Sequence, residues 1–98
     1  MANLDVVAVI TAKSGSEAIV EGALRELAGA SKADHGCLSY DLFASGSAPG
    51  AFVTIEKWES QADLDAHMAS PHIAEMITVA GDHLDGFPAI HTLHPLDS

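Results

Sequence analysis

Nearly every position across residues 4–12 is apolar, and many are β-branched. In an extended chain Leu4, Val6, Ala8 and Ile10 share one face, and Val7 and Val9 the other. The segment therefore predicts a strand covered on both sides. The period then changes. Ile19, Val20, Ala23, Leu24 and Leu27 recur at helical spacing and form a single apolar stripe. Ahead of them Ser14-Gly15-Ser16-Glu17 fits a capping box, in which the serine accepts from an orphan backbone N–H and the glutamate reaches back. This helix is expected to run to about Ala30.

His35-Gly36 breaks the helical pattern, and residues 37–44 and 51–59 read as strands. Between them Ser45-Gly46-Ser47-Ala48-Pro49-Gly50 has the composition of a turn, so the two strands form a hairpin. A turn centred on Ala48 sets Leu38 opposite Trp58, Tyr40 opposite Glu56 and Leu42 opposite Thr54. Tyr40, Glu56 and Trp58 then share one face.

Ser60 and Asp63 repeat the capping pattern and predict a short helix ending near Ala69. Ser70-Pro71 starts another, with serine as N-cap and proline at the first helical position. Ile73, Met76, Ile77, Ala80 and Leu84 would be its buried stripe and Gly86 its stop. Residues 87–93 read as a last strand, closed by Pro95.

The order is β-α-β-β-α-β, the ferredoxin-like arrangement of an α+β domain: an antiparallel sheet with helices on one face. Residues 1–98 make one domain. Such a sheet leaves its other face bare, and here that face would be too apolar for a monomer. The expectation is a homodimer in which two sheets pack face to face, a dimeric α+β barrel.

Composition narrows the function. Net charge is −10, and protonating all six histidines would still leave −4. The four cations, Lys13, Arg25, Lys32 and Lys57, do not cluster, so neither nucleic acid nor an anionic membrane is expected as a partner. No apolar run approaches the ~20 residues of a membrane span. The N-terminal residues lack the basic start and apolar stretch of a signal peptide, so a cytoplasmic protein is expected. The single cysteine, Cys37, excludes an internal disulfide and a Cys-rich zinc site. It reads as a small half-buried residue at a strand start.

Four side chains could carry chemistry. Glu56 lies mid-strand among apolar neighbours, where a carboxylate must be paired, protonated or functional. Trp58 is either a core anchor or a flat surface for an aromatic ligand. His67 falls on the apolar side of its short helix with Leu64 and Met68. His72 opens the next helix, where the dipole disfavours a second positive charge and suits a neutral base. The two histidines do not have the i,i+4 spacing of a metal pair, so no metal is expected. His91 and His94 would point to opposite faces of the last strand, and His35 and His83 would be solvated. There is no phosphate loop, nucleophile elbow or evident flavin or nicotinamide site, so no cofactor is expected.

Glu56-Lys57-Trp58-Glu59-Ser60, Leu64, Ala66-His67 and Ser70-Pro71-His72, with Gly36-Cys37-Leu38-Ser39-Tyr40-Asp41 before them, resemble the antibiotic biosynthesis monooxygenase domain family over nearly the whole chain. The resemblance implies a dimeric barrel with a pocket between helices and sheet in each protomer. Quinol-oxidising members are similar at Glu56, Trp58, Glu59, Ser60, His67, Pro71 and His72, and oxidise hydroquinones with O2 and no bound cofactor. Aromatic polyketide tailoring members share Trp58, but Thr54 and Leu64 stand where they carry asparagine and tyrosine. Haem-degrading members carry tryptophan and histidine where His67 and Ile77 stand here. An isomerase of a phosphorylated sugar shares Glu56, His67, Pro71 and His72, with tyrosine in place of Trp58.

The expected site is therefore His67, His72 and Glu56 as catalytic groups, with Trp58, Tyr40 and Met76 binding a small aromatic substrate that reacts with O2. Two rival readings remain: a proton-transfer enzyme acting on a small polar carbonyl compound, and a dimer without catalysis.

Overall fold

Two layers account for the chain in the computed structural model, which describes residues 3–97. The sequence readings that touch Met1, Ala2 and Ser98, including the N-terminal start and the full 1–98 span, lie partly outside the described residues. The elements are β1 (Leu4–Thr11), α1 (Glu17–Ser31), β2 (Cys37–Ala44), β3 (Ala51–Trp58), α2 (Gln61–Met68), α3 (Pro71–Ala80) and β4 (Ala89–Leu93), with a 3₁₀ turn at Gly81–His83. The strands form one antiparallel sheet in the order β2-β3-β1-β4. The fold is the α+β, ferredoxin-like one expected, with its second helical segment split in two.

Alternation on the central strands sorts the two faces. Val6, Ala8 and Ile10 of β1 and Phe52, Thr54, Glu56 and Trp58 of β3 are buried on the helix side. Val20, Ala23, Leu24 and Leu27 of α1 and Ile73, Met76 and Ala80 of α3 close over Ala8, Ile10 and Phe52. A second cluster, Val6, Ala28, Tyr40, Trp58 and Leu64, packs toward α2. The opposite face is bare: Phe43 and Ile55 remain 50% and 52% exposed, with Val9 and Leu93 beside them.

Four local expectations need correction. The hairpin register holds for Tyr40–Glu56 and Leu42–Thr54, but a bulge at Leu38 pairs Cys37, not Leu38, with Trp58. The bulge adds one residue to β2 and turns Leu38 outward. The N-cap of α1 is Ser16, whose side chain makes no capping bond. Glu17 does reach back, but to the Gly15 N–H at 2.9 Å. The third helix stops at Ala80 rather than near Gly86, because the following backbone pairs with the end of β1: Lys13 N–H donates to His83 O and Asp85 N–H to Thr11 O, each at 2.8 Å. Finally β4 begins at Ala89, after Pro88, which has no N–H to give the ladder; Phe87 is fully exposed and His94 lies beyond the strand.

Ser60 and Ser70 cap α2 and α3 as read, accepting from Asp63 N–H at 3.2 Å and Ile73 N–H at 3.3 Å. The corner between these helices is tight, with Ser70 N–H donating to His67 O at 3.0 Å. That corner sets His67 and His72 side by side.

Candidate functional site

Helix side chains do not fill the space above the sheet. A cavity of about 560 Å³ remains between α1, α3 and the sheet, within the ordinary range for small-molecule sites. Most of its wall is apolar, including Ile10, Leu24, Leu27, Met76 and Ile90. Its polar lining gathers at Tyr40, Thr54, Glu56 and His67, with the exposed Asp82 and Phe87 at the rim.

The Glu56 carboxylate is held from both sides along its own strand. Thr54 Oγ1 donates to Oε2 at 2.6 Å and Trp58 Nε1 donates to Oε1 at 2.9 Å. Period-two alternation places all three on one face, which is why residues two apart can meet. An unpaired carboxylate buried here would cost several kcal/mol, on the order of the effective penalty for a buried ion. Hydrogen bonds to a charged group offset this by about 1.5–3 kcal/mol each.

Trp58 is wholly buried and does not line the cavity. Its ring lies under His67, with centroids 4.7 Å apart at 40°. Of the two readings the sequence left open, core anchor or flat surface for a ligand, its burial favours the first: the ring sits behind the cavity wall against Glu56 and His67. Tyr40 lines the cavity and tilts against His67 at 5.7 Å. Burial, with the Glu56 charge beside it, pushes the Tyr40 phenol well above its ordinary value, against hydrogen bonding with the Ser31 and Thr54 hydroxyls. The Tyr40 phenol therefore keeps its proton near neutral pH.

His67 and His72 both meet Asp34, a residue sequence reasoning missed. His67 Nδ1 and His72 Nε2 each lie 2.8 Å from Asp34 Oδ2. Burial pushes the Asp34 carboxyl up, but the two histidine hydrogen bonds and the charges behind them outweigh it and hold it below the usual carboxylate range. Asp34 sits in the loop after α1, where an aspartate reads as a turn residue, and nothing in its spacing points to helices more than thirty positions away. His67 lines the cavity whereas His72 and Asp34 do not.

These contacts define the tautomers. Asp34 accepts, so His67 carries its proton on Nδ1 and His72 on Nε2 when neutral. Among the described residues His67 Nε2 has no hydrogen-bond partner, yet no fully buried side-chain nitrogen or oxygen lacks one. His67 is 3% exposed and lines the cavity.

Asp34, His67 and His72 also form a set whose ligand atoms lie within 4.8 Å of one another. Two histidines and a carboxylate suit a transition metal. In this structure His67 Nδ1 and His72 Nε2 converge on one carboxylate oxygen of Asp34. His91 is exposed on β4, and His35 is solvated as expected although it also meets Asp63 at 3.0 Å; His83 is half-buried and meets Ser16 at 3.0 Å. Cys37 is half-buried at the start of β2.

A ferredoxin-like α+β sheet, a cavity under its helices and a histidine held by an aspartate define a class of small ligand-binding and catalytic domains. Comparison with known proteins narrows it. The profile of the antibiotic biosynthesis monooxygenase family matches residues 4–79, and the chain belongs to that family. It is 38% identical over 66 residues to Rv0793 of Mycobacterium tuberculosis, a candidate monooxygenase; the match covers 67% of this chain and 64% of that relative's length. The structure of Rv0793 superposes with a TM-score of 0.87 and 29% identity, covering 99% of this chain and 98% of that one. PA3566 from Pseudomonas aeruginosa superposes with a TM-score of 0.90 and 31% identity, covering 99% and 97%. Among the described residues no helix is long and apolar enough to cross a membrane.

Proposed function

We propose that this protein is a cofactor-independent monooxygenase that hydroxylates a hydroquinone or a related electron-rich phenol with O2. The observation that carries this reading is the apolar cavity with one polar end, where His67 Nε2 is free to accept a proton beside the O–H donor Tyr40. An aromatic ring fits the apolar wall of Leu24, Leu27, Ile73 and Met76, and its hydroxyl meets the polar end.

His67 Nε2 takes the phenolic proton, and the resulting anion is electron-rich enough to reduce O2. General-base help of this kind is worth roughly 10²–10⁴ in rate. A carbon–oxygen bond forms between the ring and O2, and the O–O bond then breaks. The oxygenated ring carbon loses its hydrogen as a proton as the O–O bond breaks; one oxygen stays on that carbon and the other leaves as water. The substrate supplies both reducing electrons, ending as a hydroxyquinone, so no external reductant is needed. Tyr40 donates to the oxygen that gains charge. Glu56, occupied on both oxygens by Thr54 and Trp58, orients the polar end rather than exchanging protons.

The acting species in this reading is a homodimer. Two bare faces, each carrying Phe43, Ile55, Val9 and Leu93, would cover one another. Oxygen uptake with a panel of substituted hydroquinones tests the function. Saturable uptake above the spontaneous rate, abolished in His67→Ala, is expected; uptake no faster than the blank with every quinol overturns it. Turnover of a carbonyl substrate without O2 would support the proton-transfer alternative.

A further inference from the structure

The geometry points to Asp34 as the positioning residue that sets the tautomer of His67, with His72 as a second strut that holds Asp34 rather than as a base. The inference rests on the proposed base role of His67 and adds to it how that base is kept ready.

Three elements meet at one atom. Asp34 comes from the loop between α1 and β2, His67 from the last turn of α2 and His72 from the first turn of α3. Both histidines aim at Asp34 Oδ2, each at 2.8 Å. A neutral imidazole has one N–H and one bare nitrogen, and the acceptor it meets decides which is which. With Asp34 on Nδ1, the bare nitrogen of His67 is Nε2, and this residue lines the cavity. Were the proton on Nε2 instead, His67 would present a donor to the substrate hydroxyl and could not accept from it. When His67 takes the substrate proton, the Asp34 charge beside Nδ1 also stabilises the imidazolium that forms, and no proton need move onto the carboxylate.

His72 sits differently. It does not line the cavity, and its side chain is 22% exposed against 2% for His67. Its bond gives Asp34 a second donor on the same Oδ2 that His67 meets, with the two ring centroids 5.7 Å apart. Among the described residues Asp34 is otherwise tied only through its backbone: its N–H donates to Ser31 O at 3.0 Å and its carbonyl accepts from Cys37 N–H at 3.1 Å. Removing its side chain leaves those bonds in place, so Asp34→Ala is expected to fold.

The test combines tautomer and turnover. In ¹⁵N-histidine spectra of the whole protein at a pH where histidine is neutral, His67 should show a protonated Nδ1 and a bare Nε2. Asp34→Ala should shift His67 toward the Nε2–H form, and Asp34→Glu should restore the first pattern. In oxygen uptake with a turned-over quinol, Asp34→Ala should lower kcat about 100-fold or more with KM changed only a few-fold. Asp34→Glu should recover most of the loss, and His72→Ala should cost far less than His67→Ala. A wild-type His67 protonated on Nε2, or a tautomer unchanged in Asp34→Ala, overturns the inference. So do a His72→Ala loss equal to that of His67→Ala and one equivalent of zinc retained through gel filtration. If no quinol is turned over, the monooxygenase reading fails, while the spectra still decide the role of Asp34.

Discussion

Trp58 donates its indole N–H to Glu56 Oε1 at 2.9 Å while its ring lies under the imidazole of His67. One buried side chain thus supports two cavity residues without touching the cavity. Trp58→Phe keeps an aromatic ring but removes the donor, leaving a buried carboxylate oxygen short of a partner. A loss of about 1–3 kcal/mol in urea unfolding is expected. The effect should shrink in the Glu56→Gln background, and a double-mutant cycle measures the coupling. Strict additivity would contradict the contact.

Gly36 and Gly22 should respond in opposite senses to alanine. Gly36 has φ +78°, and a Cβ there would run into the Asp63 side chain. Gly36→Ala is expected to destabilise by more than about 1 kcal/mol, through the left-handed backbone and the displaced Asp63. Gly22 sits in α1 with nothing near its missing Cβ. Gly22→Ala should stabilise by roughly 0.5–1 kcal/mol. Thermal unfolding of the two variants side by side checks both signs.

The His35–Asp63 pair gives a pH signature away from the cavity. The hydrogen bond from His35 to Asp63, helped by the charges of Asp63 and Glu59, raises the His35 pKa above its ordinary 6.5. The same hydrogen bond, with one from Ser60, lowers Asp63 below 3.8. A raised histidine stabilises the fold fully below about 6.5 and loses that contribution as pH rises through its folded value. The Asp63 share is present above about 3.8 and fades as pH falls through its own lowered value. An NMR titration should place the His35 midpoint above 6.5, and Asp63→Asn should bring it down toward the ordinary value.

The bare sheet face predicts its own disruption. Ile55 is central on β3 and half exposed. Ile55→Lys should convert a species of twice the chain mass into one of a single chain mass by light scattering. Wild-type protein already at the single-chain mass would remove the dimer.

Periodicity made the fold legible. The strand and helix stripes, the serine caps at Ser60 and Ser70 and the order of elements all follow from local chemistry in the sequence. What local pattern does not carry is where the backbone makes a long-range bond. Leu84 looks like the end of a helical stripe, but its segment pairs with the end of β1. The Leu38 bulge likewise leaves no mark in the alternation. At the site, strand parity brought Tyr40 and Glu56 together, and the helix caps brought His67 and His72 close. Asp34 was invisible because a loop aspartate has no periodicity to betray its partners. Parity left Trp58 open between core anchor and ligand surface, because it gives the face of a strand but not the depth of what lies above it.

The most direct test of the central claim is transfer of an oxygen atom from ¹⁸O₂ to a hydroquinone by metal-stripped protein, read by mass spectrometry of the product. The proposed reaction predicts a hydroxyquinone carrying one ¹⁸O atom, formed by wild type and lost in His67→Ala. Product whose added oxygen comes only from water, or label incorporated equally by His67→Ala, would contradict it.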